Sequence, residues 1–113
     1  MVLIMNVSFS NKAQEYTKKK RIINLLVKIS FFTQGCIHIY EPKLEPIPND
    51  KLGNFQKNKR LVVNGINIYL SDQYLETYST QKELSIDLQK FPRQKLILKN
   101  LEPLIIQTCK SDK

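Results

Sequence analysis

Apolar and polar positions trade places from the first residues of the chain. Over residues 2–9, Val2 and Ile4 fall on one side and Leu3, Met5, Val7 and Phe9 on the other. Both sides are mostly apolar, which predicts a strand covered on both faces, central rather than at an edge. Ser10 and Asn11 then supply helix N-caps, and Asn11 with Gln14 has the spacing of a capping box. Tyr16, Ile22, Ile23, Leu26 and Ile29 follow at helical spacings and predict a helix over 12–32 with one apolar stripe. Gly35 stands where a left-handed helix cap is expected. CIHIY at 36–40 alternates and predicts a strand, with His38 pointing away from Ile37 and Ile39.

The middle of the chain changes character. Pro42, Pro46 and Pro48 restrict their own φ angles and push the preceding residues to extended geometry. Residues 44–48 are therefore expected as a stiff extended strip, neither helix nor central strand. Asn49, Asp50 and Gly53 mark a turn region. Asn64-Gly65 between the apolar runs LVV and INIYL predicts a β-hairpin with a type I′ turn. The competing reading is one long strand with Gly65 as a bulge. Leu84, Ile86 and Leu88 alternate cleanly as a strand. Pro92 suits the first turn of a helix ending near Asn100, and residues 104–109 read as a last strand. This order, β-α-β, β-β, α-β, predicts one α+β domain over 1–113. It is a ferredoxin-like sandwich with two helices on one face, a Pro strip and basic hairpin arm protruding over 41–78, and a polar tail at 110–113.

Composition narrows the function. At 113 residues with 42% hydrophobic content the chain suffices for one core. Eighteen Lys and Arg against ten Asp and Glu leave a net charge of +8, which favours encounter with a polyanion. The cations cluster as Lys18, Lys19, Lys20 and Arg21, and again as Lys57, Lys59 and Arg60. Tyr69, Tyr74, Tyr78 and Phe55 are the aromatics expected at the surface, where their rings could stack on unpaired bases. The two cysteines, Cys36 and Cys109, lie far apart. With a single His they do not make a four-ligand zinc site, so free buried thiols and a reduced compartment are expected. No apolar run has the length of a membrane helix and no targeting segment is visible, so a soluble protein is expected. No phosphate-binding glycine loop, HExxH or GxSxG occurs, and His38 has no nucleophile beside it. The expectation is a binding protein, not an enzyme, without metal or cofactor.

In this order the elements resemble the S-ten family of small-subunit ribosomal proteins, in a divergent organellar form. Glu45-Pro46-Ile47-Pro48 stands where that family has its Pro strip. Lys59-Arg60-Leu61-Val62-Val63 looks like the strand into its hairpin, and Ser71-Asp72-Gln73-Tyr74 with Glu76-Thr77-Tyr78 like the returning strand. Ile86-Asp87-Leu88 and Leu104-Ile105-Ile106-Gln107 are similar to its later strands. The chain departs from the pattern where Glu45 replaces the strip's glycine and where the Ser-Pro-His hairpin shoulder is absent. The resemblance implies a structural protein of the small-subunit head, in a mitochondrial or else a cytoplasmic ribosome, held by ribosomal RNA and neighbouring ribosomal proteins. Lys18, Lys19, Lys20, Arg21, Lys57, Lys59, Arg60, Arg93, Lys95 and Lys99 would neutralise phosphates, with no membrane and no small-molecule substrate. The alternatives are an OB-fold module binding single-stranded nucleic acid and a non-catalytic interaction subunit of a large assembly.

Overall fold

The computed structural model describes residues 6–55, 59–78 and 82–107. Strands hold 52% of these residues and helical turns 23%, and the eight strands form two sheets, one a curled half-barrel. The ferredoxin-like sandwich with two helices on one face is therefore not the fold. The five-stranded sheet runs β4 (Lys59–Val63), β5 (Ile66–Leu70), β2 (Asn24–Gln34), β3 (Ile37–Pro46), β8 (Leu104–Gln107). The three-stranded sheet runs β1 (Asn6–Phe9), β6 (Glu83–Gln89), β7 (Lys95–Leu98). Two short helices, α1 (Asn11–Lys19) and α2 (Asp72–Thr77), and a 3-10 segment at Asn49–Phe55 complete it.

Several expectations change, each for a local reason. The helix expected over 12–32 ends at Lys19. Its N-cap is Ser10, whose hydroxyl accepts from the Ala13 N–H at 3.1 Å, while Gln14 turns to the Phe9 carbonyl, so the Asn11–Gln14 capping box does not form. Its end is a Schellman motif. The Ile22 N–H donates to the Thr17 carbonyl and the Arg21 N–H to the Lys18 carbonyl, with Arg21 left-handed at φ 54°. Residues 24–34 then run as strand, and Gly35 (φ 62°) caps no helix. It takes the first central position of the two-residue turn between β2 and β3, the place where a type II′ turn calls for glycine.

The second helix, expected from Pro92 to Asn100, is also a strand: β7 pairs antiparallel with β6 and buries Leu96 and Leu98. The segment matched to a returning strand, Ser71 to Tyr78, is instead helix α2, capped by the Ser71 hydroxyl. β1 is an edge among the described strands, and β6 takes the centre.

The Pro strip belongs to β3, with Pro42 opposite Ile29 and Pro46 opposite Leu25. This works because β8 pairs only with residues 37–40. Along residues 41–46 the side of β3 away from β2 has no partner strand among the described residues. A proline lacking its N–H costs little on such an edge.

The Asn64-Gly65 hairpin forms as the sequence predicts, with φ 53° and 77° at the two turn residues, the type I′ signature. It does not protrude. β5 lies inside the sheet between β4 and β2, and Ile68 and Leu70 are fully buried.

The main core fills the space between the sheets. Leu25, Val27, Ile68 and Leu70 from the large sheet meet Leu84, Ile86, Leu96 and Leu98 from the small one, with Ala13 and Tyr74 from the helices. Burying each such side chain stabilises the fold by roughly 1.5–3 kcal/mol. A second, smaller cluster lies on the opposite face of the large sheet, where the 3-10 segment brings Leu52 and Phe55 against Leu26, Ile47 and Tyr69. Beneath it Asn24 is buried and satisfied. Its amide donates to Asn49 at 2.9 Å and its carbonyl oxygen accepts from Asn67 at 3.0 Å.

Candidate functional site

Beyond this core the β2–β3 hairpin continues as a limb, with β8 laid along its outer side. The registers fix its two faces. Phe31, Tyr40 and Leu104 align across the three strands, followed by Thr33, His38 and Ile106. On the other face Phe32, Ile39 and Ile105 align, then Gln34, Ile37 and Gln107. Each face therefore carries one apolar row, Phe31-Tyr40-Leu104 or Phe32-Ile39-Ile105, with uncharged polar and apolar residues mixed at the tip. Phe31, Phe32, Ile37, Leu104, Ile105 and Ile106 are between 38% and 66% exposed, presenting roughly 500 Å² of apolar surface.

The limb is ordered by its own contacts. The Phe31 ring lies 4.8 Å from that of Tyr40 and 5.6 Å from that of His38, the latter stacked nearly parallel at 10°. At the tip Cys36 is in a disulfide. This overturns the free thiol expected there. The chain's other cysteine, Cys109, lies outside the described residues.

Charge is absent from the limb. Residues 29–40 and 104–107 contain no Lys, Arg, Asp or Glu, in a chain that is 25% charged. Charges resume at its base, on the Phe32 face. There Lys28 pairs with Glu45, and Lys43 lies 3.6 Å from Glu41. The unpaired edges add to the exposure. β5 reaches only residues 24–27 of β2, so residues 28–34 have no second neighbour among the described strands.

The residues expected to bind RNA do not gather into one site. Lys18, Lys19, Lys20 and Arg21 are exposed where α1 ends. Lys59 and Arg60 lie on the edge strand β4. Arg93, Lys95 and Lys99 are exposed around β7, where Lys99 approaches Asp87 at 4.0 Å. Lys57 lies outside the described residues. Tyr69 and Tyr74 are buried, with no ring face to offer a base. Phe55 is half-buried on the second core cluster and Tyr78 half-buried against Tyr74, ring centroids 5.5 Å apart. Burial pushes the Tyr74 phenol up to about 12, helped by Tyr78 beside it. The Tyr78 phenol is also raised by burial, and donates to the Glu102 carbonyl at 2.7 Å.

Metal-binding geometry is not found among the described residues. They hold no group of three or more His, Cys, Asp or Glu that could take a metal. Among the described residues the one carboxyl with a lowered pKa is held by structural contacts. The Ser10 hydroxyl donates to Asp87 at 2.6 Å, and with the Leu88 N–H and the nearby Lys99 and Lys12 it holds the acid below its ordinary range. No helix among the described residues is long and apolar enough to cross a membrane.

A family model described as the CC/Se motif containing family matches residues 5–101, most of the chain. The chain belongs to that family. In this member the matched residues contain one cysteine, Cys36, and so no adjacent cysteine pair. No curated protein and no solved structure matches the chain.

The sequence pattern hides the limb because residues 22–32 also fit helical spacings. Its signal is the longest gap in charge near an aromatic pair, Phe31-Phe32.

Proposed function

We propose that this protein is a non-catalytic interaction module that docks its β2–β3–β8 limb into an apolar cleft of a protein partner. The observation that carries this is a limb with an apolar row on each face and free of charge in a chain of net charge +8. A flat partner would cover one face only, so the complementary surface is concave. Depletion of charge together with aromatic enrichment marks the centre of a protein interface, and a polar rim marks its border. The Lys28–Glu45 and Lys43–Glu41 pairs supply part of such a rim at the base.

The test compares tagged wild type with the double variant Phe32→Asp/Ile105→Asp in its native cells. Wild type is expected in a larger particle containing a second, different protein. The variant is expected to run as a monomer with an unchanged melting temperature. Flotation of purified wild type with lipid vesicles, or a dimer of this chain alone, would refute the reading.

Nucleic-acid binding is a second reading, favoured by the way Lys12, Lys19 and Lys90 outnumber the one acid, Glu15, in a cleft beside Tyr16. The ribosomal resemblance rests on an element order that the fold lacks, so it lends this reading no support. Replacing Lys18, Lys19, Lys20 and Arg21 by Ala should lower the salt slope of RNA binding by several units of log affinity per log salt if they contact phosphates. An unchanged slope counts against it.

A further inference from the structure

A cleft of about 370 Å³ opens between the end of α1 and the Asn64-Gly65 turn. Phe9, Ile22 and Ile66 give it an apolar floor, and Lys18 and Arg21 line it from the helix end. No Asp or Glu lines it, and neither cation has an ion-pair partner among the described residues. A cleft of about 440 Å³ along β3 differs, because Glu41 and Glu45 also line it and pair with its Lys43 and Lys28.

Arg21 is the unusual residue. It holds the left-handed position of the Schellman motif at φ 54°, where glycine adopts the same backbone without a Cβ clash. A long cationic side chain therefore stands at a position whose backbone favours glycine, and it lines an apolar cleft. Strain of this kind persists where the side chain serves a purpose that the backbone alone would not require. The facing wall is a tight turn with both central residues at positive φ, Asn64 at 53° and Gly65 at 77°. That wall is stiff and set by the hairpin.

We infer that this cleft binds a small amphiphile with a single anionic head, the head held by Lys18 and Arg21 and the apolar body lying over Phe9, Ile22 and Ile66. The volume falls within the range of small-molecule sites, and the mix of apolar lining with a few placed charges is their usual make-up. A guanidinium beside an ammonium matches a carboxylate or a phosphate head equally well. Such binding is independent of the limb and of what the limb docks into.

Decanoate, below its micelle concentration, is the probe, with 1-decanol and inorganic phosphate as controls. Amide shifts followed by NMR should saturate at Lys18, Arg21, Gly65 and Ile66. Decanoate should bind about tenfold more tightly than either control, the factor expected for one charge-assisted contact at a partly exposed site. Arg21→Gly should raise the melting temperature and weaken decanoate binding about tenfold, since it relieves the backbone and removes the head contact. Lys18→Ala should weaken binding without raising the melting temperature. Equal affinity for decanol would reduce the cleft to an apolar groove and overturn the inference. So would an Arg21→Gly variant that binds decanoate as wild type does, or shifts that saturate elsewhere.

Discussion

Replacing Tyr74 by Phe removes one oxygen from the core and leaves the ring in place. Tyr74 is fully buried in α2, and its hydroxyl has no hydrogen-bond partner among the described residues. A hydroxyl stripped of water and given nothing in return costs roughly 1–3 kcal/mol. Tyr74→Phe should therefore stabilise the fold at neutral pH by about 1 kcal/mol, or a few degrees in melting temperature for a chain of this size. The same residue predicts an alkaline effect. Its phenol is raised from 10.0 to about 12 in the folded state. The unfolded chain thus loses this proton near pH 10 while the folded one keeps it. The contribution is fully present below pH 10 and is lost as pH rises towards 12. The difference between the two states corresponds to roughly 3 kcal/mol at the upper end. Urea unfolding of wild type and Tyr74→Phe, at pH 7 and at intervals from pH 9 to 11.5, measures both effects. Taking the difference between the two proteins cancels the lysines and the distant tyrosines, leaving Tyr74 and its coupled neighbour Tyr78. The advantage of the variant should grow with pH. A variant destabilised at pH 7 by 1 kcal/mol or more would show that the hydroxyl has a partner, and a pH-independent difference would show that its proton is not held by burial.

Single contacts elsewhere give three more expected outcomes. Ser10→Ala removes both the N-cap of α1 and the first hydrogen bond to Asp87. It should cost about 1 kcal/mol, and an NMR titration should show the Asp87 carboxyl rising towards 3.8. Asp87 stabilises the fold above its unfolded pKa, and that contribution is lost as pH falls through the lower folded value, so acid unfolding of Ser10→Ala should depend less on this residue. Asn24→Ala should cost about 1–3 kcal/mol by chemical denaturation, because it strips Asn49 and Asn67 of their shared partner. Ile68→Ala, at a position with no exposed surface, should cost about 2–5 kcal/mol, whereas Phe32→Ser on the limb should stay within about 0.5 kcal/mol.

Some of this fold is legible in the sequence because the decisive signal is local. Asn64-Gly65 names its turn type without help from the rest of the molecule. Leu84 to Leu88 alternates because one side of β6 meets the core and the other meets less of it. β2 is illegible for the opposite reason. At its base the strand is covered on both sides, by the main core on Leu25 and Val27 and by Ile47, Tyr69 and the 3-10 segment on Leu26. A strand buried twice has no alternation, and a short apolar run does not separate helix from strand by period. β7 is masked by Pro92, a good helix opener, although Leu96 and Leu98 stand two apart. The prolines in β3 mislead because their tolerance depends on where β8 stops, which no local pattern records. The limb is visible as a gap in charge, but its meaning needs the knowledge that Phe31 and Phe32 lie on opposite faces of a sheet rather than along one stripe of a helix.

The parallel pairing of β1 with β6 places the two strands 77 residues apart in the chain. The β2–β3 and β4–β5 hairpins close across two-residue turns, on a timescale of microseconds. β1 waits for its partner strand β6, made 77 residues later. At ordinary rates of synthesis that interval is roughly 4–15 s. For those seconds Phe9 and Ala13 have no small sheet to pack against, and the nascent chain carries an uncovered opening segment. Strands β2 to β5 are all made before β6, so they pair first; the small sheet then closes the core, and β8 joins the large sheet after it.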